Sequence, residues 1–155
     1  MYKAIREFIK ARQPHTKYVL EQVFVKQVGG GVANQCFQNA TDDSLLEKGN
    51  KVVSGWLINA FDNERNSTAI VQHWWNIDGN GNYFDMTPDV DGALEYVVDS
   101  GISEYGQDNY DDLDNLVALS LLYQNGEFFG VEAVDGNLIT KPLPSLATIN
   151  LFQTT

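Results

Sequence analysis

The stretch from Lys51 to Thr87 constrains the fold most. It holds three runs, Lys51 to Phe61, Thr68 to Ile77 and Asn82 to Thr87, each rich in β-branched or aromatic residues. Polar turns at Asp62 to Ser67 and Asp78 to Gly81 separate them, and Pro88 closes the last. Runs of this composition bounded by turn residues read as strands. Connections this short join antiparallel neighbours, because a parallel pair needs a long crossover. The middle of the chain is therefore committed to an antiparallel sheet, and the remainder must pack against it.

The flanks read as a mixture. Tyr2, Ile5, Phe8 and Ile9 recur at helical spacing in residues 2 to 12, which predicts an amphipathic helix ending before Pro14. Tyr18 to Val28 reads as a strand. Gly29-Gly30-Gly31 breaks the chain, Asn34 is placed to cap a helix, and Gln35 to Lys48 reads as that helix, closed by Gly49. Its inner face holds Phe37, Ala40, Ser44 and Leu45, and Cys36 falls in its first turn. Residues 92 to 98 and 112 to 123 look helical, the latter with Leu113, Leu116, Val117 and Leu121 on one side. Glu127 to Val134 reads as a late strand, and the tail with Pro142 and Pro144 as irregular. At 155 residues and 43 % hydrophobic composition, the expectation is one α+β domain spanning 1–155, with N-terminal helices packed on a small antiparallel sheet.

Charge bounds the partners. The formal net charge is −11, and no Lys or Arg occurs from Ser67 to Thr140. Such a field repels nucleic acid and favours a basic protein or peptide, while also serving plain solubility. No apolar run approaches the roughly 20 residues of a membrane helix, and the N-terminus lacks a signal-peptide apolar centre. A cytoplasmic protein is expected, and its oligomeric state is left open.

Cys36 is the single cysteine, which rules out an internal disulfide and a multi-thiolate zinc site. A lone cysteine is either a small buried hydrophobe or a nucleophile. Here it opens a helix, a histidine lies within a later strand, and an aspartate lies in the next. A thiolate is stabilised by a helix N-terminus and a nearby imidazolium, and a carboxylate on the other ring nitrogen orients that imidazole. Strand parity tests the pairing. Val71, His73 and Trp75 share one face, as do Tyr83, Asp85 and Thr87. A three-residue loop Gly79-Asn80-Gly81 with Gly81 left-handed puts Asp85 opposite Trp75 and diagonal to His73. A two-residue Asn80-Gly81 turn sends Asp85 to the other face. Each residue also has a plainer reading, His73 as a satisfied core histidine and Asp85 as a turn cap.

The segments Asn34-Gln-Cys-Phe-Gln-Asn-Ala40, Val53-Ser-Gly-Trp56, His73-Trp-Trp-Asn76 and Phe84-Asp-Met-Thr-Pro88 resemble the core of transglutaminase-like and papain-like cysteine proteins. The resemblance covers residues 30 to 90. It implies a papain-like or transglutaminase-like fold, with Cys36 as nucleophile, His73 as base and Asp85 as orienter. Gln27, Asn34 and Gln35 are candidate oxyanion donors beside the Cys36 N–H, and Trp74 and Trp75 are candidates for core, cleft wall or substrate platform.

A calcium loop through Asp78, Asn80, Asn82 and Asp89 is disfavoured, because Tyr83 stands where glycine is required and the last glutamate is missing. His15, after Pro14, is a poor alternative base. No metal or cofactor is called for. The expected function is a cysteine-dependent amide or acyl hydrolase or transferase, which leaves protease, deamidase and transglutaminase-like activities open. The alternative is a non-catalytic acidic binding or inhibitor protein on the same fold, of bacterial or phage origin.

Overall fold

The computed structural model describes residues 20–60, 62–88, 90, 93–99, 120–135 and 137–142. In chain order these form β1 (Leu20–Val23), β2 (Val25–Gln27), α1 (Cys36–Ala40), α2 (Asp43–Leu46), β3 (Lys51–Asn59), β4 (Ser67–Ile77), β5 (Tyr83–Asp85), β6 (Ala93–Asp99), β7 (Ser120–Gln124), β8 (Glu127–Val134) and β9 (Asn137–Pro142). The strands make one mostly antiparallel sheet in the order β1-β6-β3-β4-β7-β8-β9, with β5 also on β4 and β2 on β5. Only the β2–β5 pair is parallel among the described strands.

β4 is the spine. One edge pairs with β3 from Ile70 to Ile77. The other edge is shared, because β7 pairs with Ser67 to Val71 and β5 with Asn76 and Ile77. Residues 72 to 75 lie between these two neighbours, and α1 packs against β4. Asn76 Nδ2 donates to the Ala40 carbonyl at 2.8 Å, and Phe37 meets Trp74 edge-on at 5.4 Å.

Side-chain alternation gives the sheet two apolar faces. Trp56, Ile58, Ile70, Trp74, Val97 and Leu121 share a buried cluster with Ala40 of α1. Val25, Leu57, Trp75 and Tyr96 form the other. Gly55 lies opposite His73 in the β3–β4 register. A Cβ there would sit 2.0 Å from the Val97 carbonyl oxygen and 2.6 Å from the Trp75 ring. The missing side chain lets Trp75 lie across the strand.

Several expectations are corrected. Residues 93–99 form a strand, not a helix, because β6 lies hydrogen-bonded between β1 and β3. The helix expected from Gln35 to Lys48 is two short helices. Asp42 breaks it by accepting from the Ser44 N–H at 2.9 Å, and Gln35 rather than Asn34 is the N-cap residue of α1. Where one strand is expected from Tyr18 to Val28, the described residues 20–28 hold two strands with different partners. Residues 120–124 are a strand, joined to β8 through Asn125 and Gly126 at φ 52° and 82°, the left-handed pair that a two-residue hairpin turn needs. The tail expected to be irregular contains β9, which pairs antiparallel with β8 up to Phe129↔Pro142. The helix expected at residues 2–12, and residues 112–119 of the one expected at 112–123, lie outside the described residues.

Gly55→Ala is expected to destabilise the protein by about 3 kcal/mol, because the obstructing Val97 oxygen is backbone and cannot rotate away. Gly79→Ala, which meets nothing within 4 Å, is expected to change stability by no more than about 0.5 kcal/mol. Urea denaturation of both variants checks this. Equal midpoints would contradict the close approach of β3 and β6.

Candidate active site

The β4–β5 hairpin places His73 and Asp85 on one face. Asp78 N–H donates to the Asn82 carbonyl at 2.9 Å, which closes a loop of Gly79-Asn80-Gly81 with Gly81 at φ 84°. The β4–β5 register runs through Ile77↔Tyr83 and ends at Asn76↔Phe84, so Asp85 stands one residue beyond the last pair. His73 Nε2 and Asp85 Oδ2 are 2.6 Å apart. The Asp78 carboxylate is used in the turn, accepting from Asn80 N–H, Asn82 N–H and Asn82 Nδ2.

The cysteine is brought in by the loop before it, which is hung on the chain around Asp85. Val28 and Gly29 N–H groups donate to the Asp85 carbonyl at 2.9 and 3.2 Å, and Gly31 N–H to the Met86 carbonyl at 2.8 Å. Asn39 of α1 holds the other end, bonding both backbone groups of Val32 at 2.8 Å and reaching Thr87 Oγ1 at 3.2 Å. Gly31 is required here, since a Cβ would stand 2.6 Å from the Asn39 side chain and 2.7 Å from the Met86 oxygen.

Cys36 is thereby half-buried and free, hydrogen-bonded to the His73 ring. Asp85 occupies Nε2, so Nδ1 is the ring nitrogen left for the thiol. Burial pushes the Cys36 thiol up, but the His73 hydrogen bond and charge and the N–H groups of Trp74 and Phe37 outweigh it, and the net shift is downward. Burial likewise pulls His73 down, yet Asp85 and Cys36 together push it up to about 9. The Asp85 carboxyl is raised by burial and lowered further by His73, the Thr87 N–H and Tyr96, so it lies below its usual range. Both Asp85 oxygens are engaged. Oδ1 accepts from Thr87 N–H at 2.8 Å, and Oδ2 accepts from His73 and from Tyr96 Oη at 2.8 Å.

The His73 ring stacks on Trp75 at 6.1 Å and meets Tyr96 at 5.9 Å. Beside it opens a cleft of about 590 Å³, whose polar lining comes from Cys36, His73, Asn34, Asn59, Gln72 and Thr87. Asn34 therefore reaches the cleft. The other candidates for oxyanion or substrate contact are placed elsewhere. Gln27 donates to Tyr96 Oη, Gln35 is exposed at the start of α1, and Trp74 and Trp75 are buried in the two core clusters. His15 and Asp89 lie outside the described residues. Sequence reasoning missed Tyr96, because β6 read as helix, and Gln72, whose only signal is a carboxamide inside an apolar strand run.

Comparison with family models, with curated proteins and with solved structures gave no significant match.

The linkage between His73 and stability has a defined sign. Its folded pKa is raised above the ordinary value of 6.5, so its contribution is full below 6.5 and is lost as pH rises towards the folded pKa. Cys36→Ala removes the coupled thiol titration. In that variant unfolding free energy is expected to fall as pH rises above about 6.5, by at most ~1.4 kcal/mol per unit. Adding Asp85→Asn is expected to flatten the slope. Urea titrations at a series of pH values read both, and identical slopes would contradict the His73–Asp85 coupling.

Proposed function

We propose that the chain is a cysteine-dependent acyl-transfer enzyme that breaks or exchanges an amide or related acyl bond. The observation carrying this reading is the buried chain of contacts from Cys36 through His73 to Asp85, beside an open cleft and with the thiol pKa lowered despite burial. A cysteine buried without such partners would have a raised pKa. The arrangement supports the papain-like or transglutaminase-like reading of the fold, with short helices against an antiparallel sheet.

In the proposed reaction the Cys36 thiolate attacks the acyl carbon, and the carbonyl electrons move onto oxygen. The Cys36 N–H, the first donor of α1 without an intrahelical acceptor, is one group available to that oxyanion. The His73 imidazolium gives its proton to the departing amine as the C–N bond breaks, leaving a thioester. Water or a second amine then attacks the thioester, His73 takes the incoming proton, and the C–S bond breaks to release the Cys36 thiolate, which restores the thiolate–imidazolium pair. Asp85 holds the ring so that Nδ1 faces sulfur throughout. Hydrolysis and transfer differ only in the second nucleophile, so protease, deamidase and transferase share these steps. No described helix is long and apolar enough to cross a membrane. A reducing cytosol, where one thiol stays free, suits this chemistry.

Cys36 is expected to react with iodoacetamide near pH 6 faster than a free thiol, and His73→Ala to slow it about 10-fold or more. Cys36→Ser is expected to melt near wild type and to lose the release of p-nitrophenol from p-nitrophenyl acetate. Asp85→Asn should lose less than His73→Ala, since the nucleophile and base remain. Ordinary thiol reactivity in both wild type and His73→Ala would refute the assignment. So would a Cys36→Ser protein destabilised by ~1–3 kcal/mol that kept its activity.

A further inference from the structure

The thiol and its base are accounted for without Tyr96, yet its hydroxyl donates to the same Asp85 oxygen that holds His73. The side chain comes from β6, is 6 % exposed, and sets its ring against both His73 and Trp75. A phenol has one proton to give, and its oxygen can also accept. Gln27 Nε2 donates to that oxygen from β2. The accepting side of the phenol is thus occupied, and its proton points to Asp85. Burial and the Asp85 charge both hold the Tyr96 hydroxyl protonated, so it stays a donor.

The geometry points to Tyr96 as a positioning residue for the Cys36–His73 pair, with Gln27 fixing the direction of its hydroxyl. Together they hold the Asp85 carboxylate in the orientation that receives His73 Nε2–H. Thr87 N–H pins one oxygen, and Tyr96 pins the other without displacing the imidazole. Without Tyr96 the carboxylate can turn about its last bond, and its contact with His73 weakens. The consequence for turnover rests on the acyl-transfer reading. The consequence for His73 does not.

Among the described residues, the titratable groups facing the His73 ring are Cys36 from α1, Asp85 from β5 and Tyr96 from β6. Glu95 and Asp99, also on β6, fall on the opposite sheet face by strand alternation. Gln27 is exposed on β2, so its replacement leaves the core intact.

The test is the NMR titration of the His73 ring in the full chain, which has only two histidines, so His15 serves as internal control. Tyr96→Phe is expected to lower the His73 pKa from about 9 by roughly half a unit or more, because the weakened carboxylate contact stabilises imidazolium less. Gln27→Glu is expected to shift it in the same direction, since the new carboxylate accepts the phenolic proton and turns it from Asp85. A negative charge acting through space would raise the His73 pKa instead, so a lowered value identifies the redirected hydroxyl. Gln27→Leu offers no rival acceptor and should shift it less than Gln27→Glu.

In ester turnover, Tyr96→Phe should lower kcat several-fold with little change in KM. An unchanged or raised His73 pKa in Tyr96→Phe would overturn the positioning role. Should that variant fail to fold, Gln27→Glu decides alone, and an unchanged or raised His73 pKa there overturns the proposal. Shifts as expected with no acyl transfer by wild type would leave the positioning role standing and refute the enzyme reading.

Discussion

Burying the Asp85 carboxylate is the constraint around which the site is organised. At 1 % exposure, an ionised carboxyl is costly unless its oxygens are paired and hydrogen-bonded. Here His73, Tyr96 and the Thr87 N–H meet that requirement from β4, β6 and the turn after β5. Satisfying one charge therefore fixes three segments relative to one another. The backbone carbonyl of the same residue accepts from Val28 and Gly29, and so carries the loop that ends at Cys36. The carboxylate holds His73 and the carbonyl holds the approach to the thiol.

The second requirement is a place for the thiol to stand. Continuous pairing of β4 along both edges would leave no room for a helix beside His73. Instead β7 leaves β4 after Val71 and β5 joins it only at Asn76. The Trp74 N–H in this interval bonds the Cys36 sulfur. A buried backbone donor needs an acceptor, and the thiolate is a better one than the thiol. The break in the ladder thus supplies one of the groups that lower the thiol pKa, after His73. Phe37 against Trp74 and Asn76 against the Ala40 carbonyl keep α1 seated in the gap.

How much of this was legible in the sequence depends on how local each signal is. Gly79-Asn80-Gly81 and the period-2 parity of β4 and β5 are local, and they permitted His73 and Asp85 on one face, with a two-residue Asn80-Gly81 turn as the open alternative. The division of the helix after Cys36 was also written locally, in Asp42 two residues before Ser44, an N-cap signal lying inside the expected helix. Asn125-Gly126 likewise marked a hairpin and argued against helix through residue 123. β6 was not legible in this way. Ala-Leu-Glu-Tyr-Val-Val carries good helix formers, and a strand between two neighbours need not alternate. Its polar residues are buried: Asp99 accepts from Trp56 Nε1 at 2.8 Å, a partner more than forty positions away. Since Tyr96 lies on β6, its link to Asp85 was invisible for the same reason.

The sequence argument offered the thiol two stabilisers, a helix N-terminus and an imidazolium, and the structure weights them unequally. A cysteine at a helix start suggests that the helix dipole lowers its pKa. α1 has five residues, little more than one turn, and its dipole is correspondingly small. The downward shift comes instead from the His73 hydrogen bond and charge and from the N–H groups of Trp74 and Phe37, acting against burial. Only the Phe37 contribution belongs to the helix. The remainder belongs to β4, and through His73 to Asp85. A cysteine grafted onto the start of an equally short helix, without a gapped strand and a carboxylate-backed imidazole beside it, would keep the raised pKa that burial alone produces.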